Sequence, residues 1–407
     1  MSSVRALVAA AMVVAAVGAG CSALTPGPSM SNRPSKLLGE PAVGRASVRC
    51  DPAGTVVRTR TGQPRAGRLW PERLIAREGP TVAAQAVDPT AGLAYVLVSQ
   101  TARGLRGPYV LECISLRSGA VHHGPVFPPS PVITLNSVVP ASGYLWVSEL
   151  PASSSQPVVT QLGLRTLTVI RSLRLPTVTG ACSPGVTVAT GPPGSVWIGS
   201  FHTLLRLDTA IGAIVTRLTL PADVAVSDIA VDPGHRHLYV SITHVVKGGC
   251  EGNAMLEYGA RSGRRLATAT RGLITDSVIG AQLTAVPGGV WASFRTGMLG
   301  LTIHLRQQNL AMIAPPGSRI ALTPAARLFH WAMGGGTIYG GGVLWLANQG
   351  GWVACINPRT GQARAAERIP FSRGLIGPLA ANGATHQVIA AGGHGLIQVT
   401  PPTRCWQ

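Results

Sequence analysis

Apolar and polar positions alternate along this chain in short runs, and each run is closed by a turn rich in proline or glycine. VSDIAV at 226–231 and LYVSI at 238–242 flank Asp232-Pro233-Gly234. Period-two alternation on both sides of such a turn predicts a hairpin of half-buried strands. Proline presets φ for the turn, and glycine takes the positive φ that closes it.

The hairpin recurs. Its copies read VDPTAGLAYVLVS at 87–99, VPASGYLWVSE at 139–149, TGPPGSVWIGS at 190–200 and VDPGHRHLYVSI at 231–242. VPGGVWASF at 286–294, YGGGVLWLAN at 339–348 and a degenerate ANGATHQVIAAGG at 381–393 follow. One register position holds Tyr95, Trp146, Trp197, Tyr239, Trp291, Trp345 and finally Val388, at intervals of 51, 51, 42, 52, 54 and 43 residues. A second hairpin follows most copies, as in LLRLDTAIGAIVTRLTLP at 204–221, WVACINPRTGQARAAERIP at 352–370 and VLECISLRSGAVHHGPVFP at 110–128.

Two hairpins make a four-stranded antiparallel sheet that cannot bury its own faces, so neighbouring sheets must stack. Radial stacking of such sheets predicts an all-β chain, a seven-bladed β-propeller. The in-register tryptophans then read as packing between blades, and GGGTIYGGG at 334–342 as a tight turn between inner strands rather than a phosphate loop.

The N-terminus reads differently. Arg5, apolar Ala6–Val17 and small Gly18-Ala19-Gly20 form a secretory leader over 1–20, too short to span a bilayer. Cys21 follows at once. This resembles the bacterial lipobox, although Gly18 stands where that pattern prefers an aliphatic residue. The resemblance implies lipidation of Cys21 and an extracytoplasmic body held to the cell membrane. Residues 21–44 are rich in Ser, Pro and Gly and read as a flexible tether, leaving 45–407 for the propeller. Cys50, Cys113, Cys182, Cys250, Cys355 and Cys405 remain, without CxxC spacing, and suit disulfides in an oxidising compartment.

Charge changes the picture little. The 34 basic residues exceed the 15 acidic ones, for a net +19, and only Lys36 and Lys247 are lysines. A GC-rich coding genome accounts for such arginine bias, while attraction to an anionic surface is the sharper alternative. Neither Arg58, Arg60, Arg65 and Arg68 nor Arg261, Arg264 and Arg265 are interleaved with aromatic residues, so no nucleic-acid partner is expected.

The VDP–LYV opening and the LD–G–L–LP second hairpin together resemble YVTN/NHL-type propellers of the bacterial exported branch, over about 81–400. That resemblance implies closure of the last blade by an N-terminal strand, with Ser47–Arg60 as the expected donor. It would bring Cys50 to Cys405, the first expected disulfide. Propeller geometry puts the loops of Cys182 and Cys250 on one face, which makes them the second expected pair.

Candidate chemistry is sparse. His235 and His237 would share a strand face and His122 adjoins His123, but carboxylate partners are few, so these are expected to be surface histidines. Asp88, Asp208 and Asp232 sit at repeated turn positions and read as turn-capping residues. Glu149, Glu251 and Glu257 are acids outside the repeat. The expectation is a non-catalytic binding or scaffold module for a protein, peptide or envelope component, with no catalytic residue, metal or cofactor. The alternative is a lyase- or lactonase-type propeller enzyme with a divalent metal in the central channel, drawing on His202, His235 and Glu251.

Overall fold

The computed structural model describes Cys50 and residues 72–76, 82–88, 91–100, 108–129, 138–177, 185–246, 249–269, 279–296, 299–306, 337–347, 352–361, 363–369, 376–392 and 395–407. Cys21, the leader and the tether lie outside this set, as do Arg58, Arg60, Arg65 and Arg68 and the expected pairing of Cys182 with Cys250. The body described below belongs to the compact unit Ser47–Gln407.

Seven antiparallel sheets make up this body. Blade 1 comprises Val82–Asp88, Leu93–Ser99, Tyr109–Ser115 and Val121–Phe127, running outward from the axis. The innermost strands of blades 2 to 7 are Val138–Ala141, Val186–Thr190, Val224–Val231, Ile279–Val286, Thr337–Gly340 and Ile376–Asn382. Each innermost strand touches those of the two adjacent blades, and the last touches the first, so the ring closes. The chain is a seven-bladed β-propeller. Blade 5 shows three strands among the described residues.

Ring closure uses the N-terminus, but not the expected segment. Glu72–Ala76 pairs antiparallel with Gly395–Val399 and completes blade 7, whereas Ser47–Arg60 contributes no described strand. A closing strand must match the register of a partner more than 300 residues away, which local alternation does not encode.

The recurring aromatics do what their register predicts. Tyr95, Trp146, Trp197, Tyr239, Trp291 and Trp345 are buried, each on the second strand of its blade. Each stands opposite an inner-strand residue: Ala86, Val139, Ala189, Ala230, Thr284 and Ile338 in turn. Truncating one such ring to alanine would cost about 3–5 kcal/mol. Polar tips are used as well. Tyr95 Oη donates to Leu164 O at 2.9 Å, Trp197 Nε1 to Ala260 O at 2.9 Å, and Trp291 Nε1 to Pro358 O at 2.9 Å. Each acceptor lies in the turn between the third and fourth strands of the next blade, so the aromatic clasps its neighbour.

The inner hairpin turns differ in length but share a residue with positive φ near their end. Gly92, Gly143, Gly194, Gly288 and Gly342 have positive φ at these turns, and His235 and His386 take the same left-handed region in blades 4 and 7. Histidine tolerates that region better than most side chains.

Candidate functional site

The innermost strands surround a cavity of about 490 Å³ on the propeller axis. All seven blades line it, with apolar residues such as Val87 and Val139 and polar ones such as Gln85, Gln282 and Thr337, in nearly equal parts by surface. Asp232, Pro233 and His235, from the inner turn of blade 4, stand at its rim.

Polar groups near the axis are engaged in joining blades. Asp228 of blade 4 accepts from Thr187 Oγ1 of blade 3 at 2.7 Å and from the Leu283 amide of blade 5 at 2.8 Å. Thr284 and Thr337 hydroxyls meet at 2.6 Å across blades 5 and 6, and Gln85 Nε2 of blade 1 donates to Ile389 O of blade 7 at 3.2 Å. Ser148 Oγ donates to Val186 O at 3.0 Å between blades 2 and 3. These bonds satisfy buried polar atoms and fix the blades against one another.

The capping role expected for the aspartates is visible. Asp232 Oδ1 accepts from the amides of Arg236 and His237, at 2.7 and 2.6 Å, and its Oδ2 from that of Gly234 at 3.1 Å. Asp88 accepts from the Ala91 amide at 3.0 Å, and Asp208 from those of Ala210 and Ile211 at 2.9 and 3.2 Å.

The histidines depart from expectation. His235 is in a turn and not on a strand face with His237. His237 opens the second strand of blade 4, is buried, and its Nδ1 lies 2.7 Å from Oε1 of fully buried Glu257. Tyr239 stacks beside it, ring centroids 6.4 Å apart, and burial with the nearby Glu257 and Asp232 carboxylates pushes its phenol up. Sequence reasoning missed this cluster because Glu257 arrives from the third strand, opposite Tyr239 in the register. His122 and His123 lie on the outer strand of blade 1, with His123 exposed and 3.1 Å from Glu112.

His202, His235 and Glu251 do not come together. His235 is at the first turn of blade 4, while Glu251 pairs with His244 beside the following turn, at the blade's opposite end. His202 occupies the corresponding turn of blade 3, between its second and third strands, at that same far end. Among the described residues, no group of three His, Cys, Asp or Glu side chains could hold a metal ion.

Glu149 ends the second strand of blade 2 on the face that Leu145 and Val147 turn toward blade 1. It is buried, Oε2 has no hydrogen-bond partner among the described residues, and burial raises its carboxyl to about 7. Of the arginine groups, Arg261, Arg264 and Arg265 are exposed at the outer edge of blade 4.

Cys405 is not joined to Cys50. It forms a disulfide with Cys355, with Cα atoms 5.6 Å apart, and Cys50 lies buried in the core shared with Cys113. The C-terminal turn Thr403–Cys405 lies against blade 6, where Arg364 Nη1 donates to Cys405 O at 2.9 Å. That position carries Cys405 to the third strand of blade 6.

No family model matches the chain, and no curated protein matches it. Among solved structures, a chain of the mitotic checkpoint complex is similar at 10% identity and TM-score 0.54, covering 80% of this chain and 91% of that one. The Pan2 WD40 domain of Neurospora crassa matches at 8% identity and TM-score 0.52, covering 81% and 96%. Hydrazine synthase of Kuenenia stuttgartiensis matches at 12% identity and TM-score 0.53, covering 79% and 96%. At such identities these likenesses show a shared fold, and that fold is the β-propeller.

Proposed function

We propose that this chain is an exported, lipid-anchored propeller of the YVTN/NHL type that serves as a non-catalytic binding or scaffold module. Its ligand is a protein, a peptide or a component of the cell envelope, received at the rim where the inner hairpin turns surround the axial cavity. The carrying observation is the cavity itself: about 490 Å³, lined by every blade, with polar and apolar surface in nearly equal parts. A concave site at the meeting of several elements, with apolar side chains and a few fixed polar groups, is a usual form of binding site. The polar side chains described near the axis support this reading, because Asp228, Thr284 and Thr337 bond across blade seams. Propellers host many unrelated activities, so the fold contributes only the scaffold. Lipidation of Cys21 and export rest on the leader and the cysteine content.

A photo-crosslinking residue at Pro233, which is exposed on the rim, tests the binding face in cells. The same residue at Arg217, exposed on the outer strand of blade 3, is the control. A discrete adduct from position 233 and none from 217 supports the proposal. Adducts from 217 alone would move the binding face to the outer edge.

A further inference from the structure

Cys113 and Cys355 occupy the same place in two different blades. Each lies on the third strand of its blade, directly opposite the recurring aromatic: Cys113 faces Tyr95 in blade 1, and Cys355 faces Trp345 in blade 6. A terminal segment lies over each position. Over blade 6 it is the C-terminal turn, where Cys405 bonds to Cys355 and Trp406 packs on Trp345 with ring centroids 4.8 Å apart. Over blade 1 it is Cys50, whose amide donates to Arg165 O at 2.7 Å in the outer turn of blade 2. Tyr95 reaches the adjacent Leu164 O in that same turn.

The Cys50 and Cys113 side chains are in hydrogen-bond contact, and both are buried among Tyr95, Leu145 and Leu162. Contact with Cys50, then burial, pushes the Cys113 thiol up. A thiol so placed is a poor nucleophile and a poor metal ligand, so its environment suits a structural role.

We propose that Cys50 and Cys113 form a second terminal disulfide, built like Cys355–Cys405, which fastens the N-terminal segment across the seam of blades 1 and 2. The two bonds clamp the chain's ends at equivalent sites on separate blades instead of joining the ends to each other. In the reaction, each thiol gives up its proton, one S–S bond forms, and two electrons pass to a disulfide-bearing oxidant. That oxidant, a thiol–disulfide oxidase or oxidised glutathione, is cleaved to two thiols. The inference rests on the extracytoplasmic reading above, since the cytosol keeps such pairs reduced.

The test is peptide mass mapping of the full chain, produced with its own leader and alkylated under denaturing conditions before any reduction. A linked pair of Cys50 and Cys113 peptides beside the Cys355–Cys405 pair is the expected result. If Cys355–Cys405 is linked while Cys50 and Cys113 are both alkylated, the proposal is overturned and the export reading stands. If all four are alkylated, the export reading fails, and refolding of the denatured, reduced chain in a glutathione redox buffer decides the pairing. A Cys50–Cys113 link then upholds it, and linkage of either residue elsewhere, or none, overturns it. Cys50→Ser, Cys113→Ser and the double variant should lower the unfolding midpoint by one common amount, because each removes the same bond. Additive shifts would mean two separate packing losses and would overturn the assignment.

Discussion

The indole Nε1 of Trp197 in blade 3 donates a 2.9 Å hydrogen bond to the carbonyl oxygen of Ala260 in blade 4. Tyr95 and Trp291 make the same reach into blades 2 and 6. In blades 1, 3 and 5 this residue position thus both fills the core of its own sheet and secures the next one. Trp345 Nε1 donates to Gly340 O of its own blade. Trp146 lacks the bond: its Nε1 is buried with no partner among the described residues. Gln161 Nε2 instead reaches the corresponding turn of blade 3, donating to Thr209 O at 2.8 Å.

That contrast predicts unequal costs for one chemical change. Trp197→Phe strands a buried carbonyl as well as losing contacts, whereas Trp146→Phe loses contacts but also removes an unpaired buried N–H. Trp197→Phe should therefore destabilise the protein by about 1–2 kcal/mol more than Trp146→Phe. Urea unfolding of the two variants measures the difference, and equal costs would refute the clasp.

Asp228 predicts a larger effect. Asp228→Ala leaves the Thr187 hydroxyl and the Leu283 amide without their buried acceptor. A loss of about 3 kcal/mol or more is expected. Asp208→Ala, which removes only exposed turn bonds, should cost about 1 kcal/mol or less. Both are read from chemical denaturation.

Glu149 gives the stability a pH dependence of known sign. Its folded value, about 7, lies above the ordinary 4.5, because burial disfavours the charge. Between those values the folded chain holds a proton that the unfolded chain has released. The stabilising contribution is complete below about pH 4.5 and is lost as pH rises through about 7; its size is of the order of 3 kcal/mol. Glu149→Gln should therefore match the parent near pH 4 and unfold at higher temperature near pH 8. Thermal melts across that range decide it, and parallel profiles would remove Glu149 as the cause.

His235 should accept glycine. Its left-handed backbone, φ 54°, is the conformation that glycine supplies at the same turn of blades 1, 3 and 5. His235→Gly should leave stability within about 1 kcal/mol, while His235→Val should cost more, through strain at a β-branched residue. Circular dichroism melts of both variants test this.

Lipidation is checked separately. Labelling cells with an alkyne fatty acid should mark the parent protein and not Cys21→Ser, which should leave the membrane fraction. Equal labelling of both would remove the anchor from the account.

Much of the fold was legible from residues close together in the chain. The hairpin around Asp232 spans Val224–Val231 and His237–Val246, enclosing the alternating runs that predict it. The turn role of Asp88, Asp208 and Asp232 was legible too, because a side chain that caps its own turn needs no distant partner. His237 was not, since its environment depends on Glu257, brought beside it by strand pairing. Nor was the partner of Cys405, because two thiols meet only when blade order and the path of each terminus are both set.

By itself, the sequence determined that strands would form, where they would turn, and that seven like sheets would have to cover one another. Those outcomes follow from alternation, turn chemistry and the need of each sheet for a neighbour, all expressed within one repeat. Tertiary structure alone decided which strand closes the ring, which cysteines meet and which polar groups bridge the seams. Each of those depends on the register between segments far apart in the chain, and local residue patterns carry no measure of that distance.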